Sequence, residues 1–248
     1  MKRITYFGKK TLDTFIINLT YERLLPGIEL EKVNPFAEAI QAYYPTKPLL
    51  GLLKRRFTEI NLAPLTFWDA NNRNRVELGQ DYLLFTFSDY QEWDRELSKV
   101  LKVLSALGVI LDLPKISKIV LTYIDIFTIP KEPFMYNKFF TMPNFNFEHE
   151  WDIKFYDANL GFVPFEEESE EGKRKIVIRF KSIPQNHDEI NYNFRLETVG
   201  SVSNTSMVPD PEILKSYLDD CHDRIEDYFI NFLTEEYRKD LELEVEDY

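Results

Sequence analysis

The segment from Lys118 to Ile129 constrains this chain most. It reads Ile119-Val120-Leu121-Thr122-Tyr123-Ile124-Asp125-Ile126-Phe127, with little that is polar. Such a run predicts a strand buried on both faces, so other elements must be built around it. Upstream, Arg75–Phe87 carries the β-favouring residues Val76, Tyr82, Phe85, Thr86 and Phe87 and is predicted as one strand. Ser88 and Gln91 have capping-box spacing and predict a helix after Ser88. Its apolar residues Trp93, Leu97, Val100, Leu104 and Leu107 fall on one helical stripe, and Gly108 stands where a left-handed C-terminal cap belongs.

The flanks read as alternating strand, turn and helix. Strands are predicted at Phe15–Glu22, Leu49–Leu62 and Leu65–Ala70, with a polar turn at Asn71–Asn74. Asn34-Pro35 predicts the start of a short helix ending at Tyr44, before Pro45. Beyond Pro130, the ring-rich stretch Phe134–Phe147 is an irregular segment, either a recognition surface or rings packed beneath it. Strands follow at Phe147–Phe165, Ile176–Ile183 and Ile190–Val199. The acidic run Glu166–Glu171 and the basic run after it predict an exposed connection. Asp210-Pro211 opens the last helix, near 30 residues by pattern, striped by Leu214, Leu218, Cys221, Ile225, Tyr228 and Phe232. The acidic tail Glu242–Tyr248 is predicted to fray.

Runs of antiparallel strands closed by amphipathic helices on one face define an α+β class. The expectation is one α+β domain over 1–248. Two β-rich halves, 1–112 and 113–248, echo each other in topology, each closed by a helix.

Charge narrows the function. Forty-two acidic residues against thirty basic ones give −12, which repels phosphate backbones and disfavours direct nucleic-acid binding. One cysteine, Cys221, allows no internal disulfide and suits a reducing compartment. No apolar run approaches the ~18 residues of a membrane span, so a cytoplasmic protein is expected. Glycine-rich phosphate loops, Cys-x-x-Cys, His-Glu-x-x-His and Gly-x-Ser-x-Gly are all absent from the sequence, so no cofactor is indicated.

Four constellations remain. His222 shares a helix flank with Asp219, Asp223 and Glu226, a spacing that suits a metal or a solvated charged face. Cys221, its neighbour, is read as a buried inert thiol. Glu148, Glu150 and Asp152 would share one strand face, as Mg²⁺ ligands or as an exposed surface. Asp125, the only charge in its strand, needs a partner; Arg75 or Arg179 is the expected cation of a buried ion pair.

Trp68, Arg75-Val76, Asp81, Trp93 and Leu121-Thr122-Tyr123-Ile124-Asp125 together resemble a family of sporadically distributed, uncharacterised bacterial proteins of about this length. That family's pattern has a tryptophan, an Arg-Val pair in a strand, an aromatic-rich helix start and an Arg-Tyr-Ile-Asn strand before a proline. A late helix resembling His222–Phe232 closes it. Here Thr122 stands for the family's arginine and Asp125 for its asparagine. The resemblance implies no known activity. It implies a patchy, mobile distribution, as in phage-defence and toxin–antitoxin neighbourhoods.

Arg75, Asp81, Tyr123 and Asp125 are accordingly the candidate binding residues; no catalytic or metal residue is assigned. The leading expectation is a non-enzymatic protein-interaction component that offers an acidic, aromatic surface to a defence-system or toxin partner. The alternatives are a metal-dependent nuclease or phosphoryl-processing enzyme, and an oligomeric scaffold assembled through the C-terminal helix, Leu214–Phe232.

Overall fold

The structure is a computed structural model that describes residues 2–7, 11–24, 30–46, 64–130, 139–141, 159–170, 172–183 and 191–247. At its centre lies β6 (Ile116–Pro130), paired with β2 (Leu12–Tyr21) on one side and β9 (Asn191–Met207) on the other. Outward from β2 come β5 (Tyr82–Phe87), β4 (Asn74–Leu78) and β3 (Leu65–Trp68). Outward from β9 come β8 (Gly172–Ile183) and β7 (Asn159–Ser169). Every neighbouring pair in this eight-stranded sheet is antiparallel. With the helices below, this is an α+β architecture.

Alternation along the strands decides which face is covered. Phe15, Ile17 and Leu19 of β2 are fully buried, as are Ile119, Leu121, Phe127 and Ile129 of β6. Over that face lie α1 (Leu30–Ile40), α2 (Trp93–Ile110) and α3 (Pro211–Phe232). Phe36 of α1 meets Phe67 of β3, Trp93 meets Phe15, and Gly200 of β9 lies under Ile225 of α3. The other face carries Ile16, Asn18, Val120, Thr122 and Val199, all half-buried. Among the described elements no helix covers it. On that side Ile124 is buried and Val120, Thr122 and Ile126 are half-buried, so β6 is fully buried on one face and partly on the other. Its apolar residues on that side are largely β-branched, a type that packs well on a half-exposed pleated surface.

Several boundaries also differ from expectation. Arg75–Phe87 is a hairpin, not one strand: β4 ends at Leu78 and β5 begins at Tyr82. An ideal Cβ at Gly79 would collide with the Tyr82 ring, so any side chain there would require that ring to move. α2 starts at Trp93, with Glu92 as a cap whose side chain makes no capping bond. Ser88 and Gln91 lie in the connection before it. Gly108 sits inside α2, which ends at an extended Leu111. α1 starts at Leu30, so Pro35 falls in its second turn.

The charged runs after Glu166 form a hairpin, with Glu166, Glu167 and Glu168 opposite Lys175, Arg174 and Lys173. Opposed charges across a strand pair favour pairing over a loop. α3 is 22 residues long; the helix ends at its cap, Leu233, and a separate short helix, α4 (Glu235–Asp240), follows. The tail forms β10 (Leu243–Asp247), paired with β1 (Lys2–Phe7) in a separate ribbon. The predicted strand Leu49–Leu62 and the Glu148–Asp152 face lie outside the described residues.

Candidate functional site

α3 is seated firmly. The Asp210 carboxylate accepts from the Glu212 and Ile213 N–H groups, and Leu214, Leu218, Cys221 and Ile225 are buried against the sheet. Burial pushes the Cys221 thiol up to about 12, so it stays protonated. His222 borders that stripe, one turn beyond Leu218 and one before Ile225. It is 4% exposed, which corrects the reading of His222 as part of a solvated face, while Asp219, Asp223 and Glu226 on the same flank are half-buried.

The His222 ring stacks on Trp93 with centroids 4.2 Å apart. Trp93 is held in turn by its indole N–H, which donates to Asp219 Oδ1 at 2.8 Å. On the sheet side, the Tyr123 hydroxyl lies 2.7 Å from His222 Nδ1. Outward along the helix, Glu226 Oε1 is 3.9 Å from His222 Nε2. The Tyr90 and Tyr123 hydroxyls are also hydrogen-bonded to each other. The result is a polar chain, Tyr90–Tyr123–His222–Glu226, across an otherwise apolar helix–sheet interface. Burial, with the nearby Glu226 and Asp125, holds the Tyr123 phenol well above its ordinary range.

These side chains border a cavity of about 630 Å³ between α3, the entry to α2, the sheet and the β1–β10 ribbon. Two residues on its sheet floor matter most. Asp125 is 4% exposed, and Thr11 Oγ1 donates to its Oδ1 at 2.8 Å. Burial raises its carboxyl to about 7, opposed by the Thr11 bond and assisted by Asp13. Thr198, register partner of Tyr123 on β9, is fully buried, and its Oγ1 has no hydrogen-bond partner among the described residues.

The expected ion pair at Asp125 is not formed. Arg75 lies on the other face of the sheet, 2.7 Å from Glu77 and over the Trp68 ring. Arg179 is on that face too, bonded to Glu197 at 3.2 Å. Strand alternation sends both guanidinium groups away from Asp125. A neutral hydroxyl and a retained proton compensate the buried carboxyl in their place.

Of the four candidate binding residues, Tyr123 and Asp125 meet at the cavity. Arg75 is across the sheet, and exposed Asp81 sits in the β4–β5 turn, its carbonyl accepting from the Tyr21 N–H. The lining also includes Glu92, Asp94, Glu226 and Glu246 and, among the residues whose side chains are described, no lysine or arginine. Thr198, Tyr90 and Thr11 were missed from sequence. His222 and Glu226 were legible in principle, since both border the apolar stripe. Among the described residues no group of three or more His, Cys, Asp or Glu side chains is placed to hold a metal ion.

No protein-family model matches the chain, and no curated protein matches it in sequence. No described helix is long and apolar enough to cross a membrane.

Proposed function

We propose that this protein is a non-enzymatic interaction component of a bacterial phage-defence or toxin–antitoxin system, and that the cavity beside α3 is where its partner engages. The single observation that carries the reading is the cavity's composition. Asp125, Glu226, Glu92, Asp94 and Glu246 line it together with Tyr90, Trp93 and Tyr123, with no lysine or arginine among the residues whose side chains are described. Acids beside aromatic faces attract cationic groups, through charge and through the rings. The volume falls within the range of ordinary ligand sites. The system assignment follows from the family resemblance.

The matching strand orders support a second element of the proposal, duplication of one unit. Within the eight-stranded sheet, the first strand of each half, β2 or β6, is central and is flanked by the last of the three strands that follow, and a long helix comes next.

The test is affinity capture of the tagged full chain from a bacterial host expressing its neighbouring genes. A stoichiometric protein is expected with the native chain. Its retention is expected to fall about tenfold or more in the Asp125→Asn, Glu226→Gln double variant, and not in Lys181→Ala on the opposite face. No stoichiometric partner, or one retained equally by the double variant, refutes the reading.

A further inference from the structure

We propose that the cavity recognises a primary ammonium group on an apolar stem, its nitrogen bridging Asp125 and Thr198 and its stem lying toward Ile225 and Phe229. The inference deepens the binding reading above and rests on it.

Three observations define the ligand. The first is charge. Five carboxyl side chains line the space and, among the residues whose side chains are described, no lysine or arginine lines it, so a cation is the complementary occupant.

The second is the unpartnered hydroxyl of Thr198, fully buried on the floor. Asp125 faces Leu196 across the β6–β9 pair, two residues before Thr198. Asp125 and Thr198 are thus diagonal neighbours on one sheet face, with backbones roughly 7–8 Å apart. That separation suits a single group donating bonds of about 2.8 Å to each oxygen. Asp125 Oδ1 is already engaged by Thr11, which leaves Oδ2 as the acceptor. A guanidinium fork is best matched by two open carboxylate oxygens. An ammonium, with three rotatable donors, is matched by separate single acceptors. A quaternary ammonium has no donor and would leave Thr198 unpaired.

The third is the wall. Ile225 and Phe229 on α3, with Leu12 at the start of β2, give an apolar side to a site otherwise polar. An alkyl chain gains burial there in proportion to its area. A bare ammonium ion or a metal cation makes no use of this wall.

A free alkylamine and a lysine side chain present the same chemistry, and the experiment separates them. Isothermal titration of the full chain at about pH 8, where Asp125 is ionised, uses n-butylamine, Nα-acetyl-lysine-N-methylamide, tetramethylammonium and butyrate. Butylammonium is expected to bind at one site, about tenfold or more tighter than tetramethylammonium, with no heat from butyrate. Asp125→Asn is expected to weaken it about tenfold. Thr198→Val, which keeps the shape, is expected to weaken it several-fold, and the thermal midpoint of each variant checks its fold. Tighter binding of the lysine analogue than of butylamine assigns the source to a protein side chain; the reverse assigns a small amine. Butyrate binding as well as butylammonium, affinity unchanged in folded Asp125→Asn, or no saturable binding of either amine overturns the inference. If the captured partner depends on the cavity while neither amine binds, the interaction reading survives and the ligand class falls. If an amine binds and no partner is captured, the reverse holds.

Discussion

The hydroxyl of Tyr123 and Nδ1 of His222 are 99 residues apart in the chain and 2.7 Å apart in the fold. That bond joins the central strand to α3 through an apolar interface, and both residues are at least nine-tenths buried. A buried polar group left alone costs about 1–3 kcal/mol. Tyr123→Phe is expected to destabilise the protein by about that amount. A double-mutant cycle with His222→Phe should give a coupling energy of roughly 0.5 kcal/mol or more, read by urea denaturation. Additive effects would show the pair to be incidental.

Asp125 sets a pH dependence whose sign follows from its environment. Its carboxyl is raised to about 7 in the fold, above the ordinary 3.8 that the unfolded chain should show. Between those values the native state holds a proton that the unfolded state has released, so stability falls as pH rises. The slope approaches about 1.4 kcal/mol per pH unit inside the window and vanishes above it. Asp125→Asn should flatten the slope between about pH 4 and 7 in denaturation curves. Equal slopes in both proteins would show that Asp125 is ionised throughout.

Gly200 lets α3 sit close to the sheet. A Cβ there would stand 2.8 Å from Ile225 Cδ1 and 3.3 Å from Ile176 Cδ1. Gly200→Ala is expected to cost about 1–3 kcal/mol by overpacking. Adding Ile225→Val, which removes the nearest methyl, should recover part of that loss. Failure of the second change to help would locate the cost elsewhere.

The two long helices differ at their starts. Asp210 caps α3 with two backbone bonds, whereas the Glu92 side chain caps nothing. Asp210→Ala should lower stability by about 1 kcal/mol, and Glu92→Ala by less than about half that. The midpoint in urea, at unchanged slope, reports both.

Much of the architecture was written in local pattern. The stripes Trp93–Leu107 and Leu214–Phe232, the Asp210-Pro211 start and the apolar run of β6 depend on neighbours along the chain, and each lies within its expected element. The Gly79 turn was harder to see, because Val76, Leu78, Tyr82 and Leu83 keep β-favouring character on both sides of it. The β1–β10 ribbon joins the two ends of the chain, a pairing that no local pattern encodes. The site was half visible. Asp125 stood out as a lone charge, but its partner, Thr11, is 114 residues away. His222 looked solvated because the ring that covers it, Trp93, comes from another helix. Thr198 gave no signal, since a threonine in an alternating strand is ordinary until the space above it is known.

The most direct test of the account is a crystal structure of the full chain grown with saturating n-butylammonium. The nitrogen is expected in the cavity, about 2.8–3.2 Å from both Asp125 Oδ2 and Thr198 Oγ1, with the alkyl chain against Ile225 and Phe229. A cavity holding only water at saturation, or butylammonium bound solely elsewhere on the surface, would contradict it.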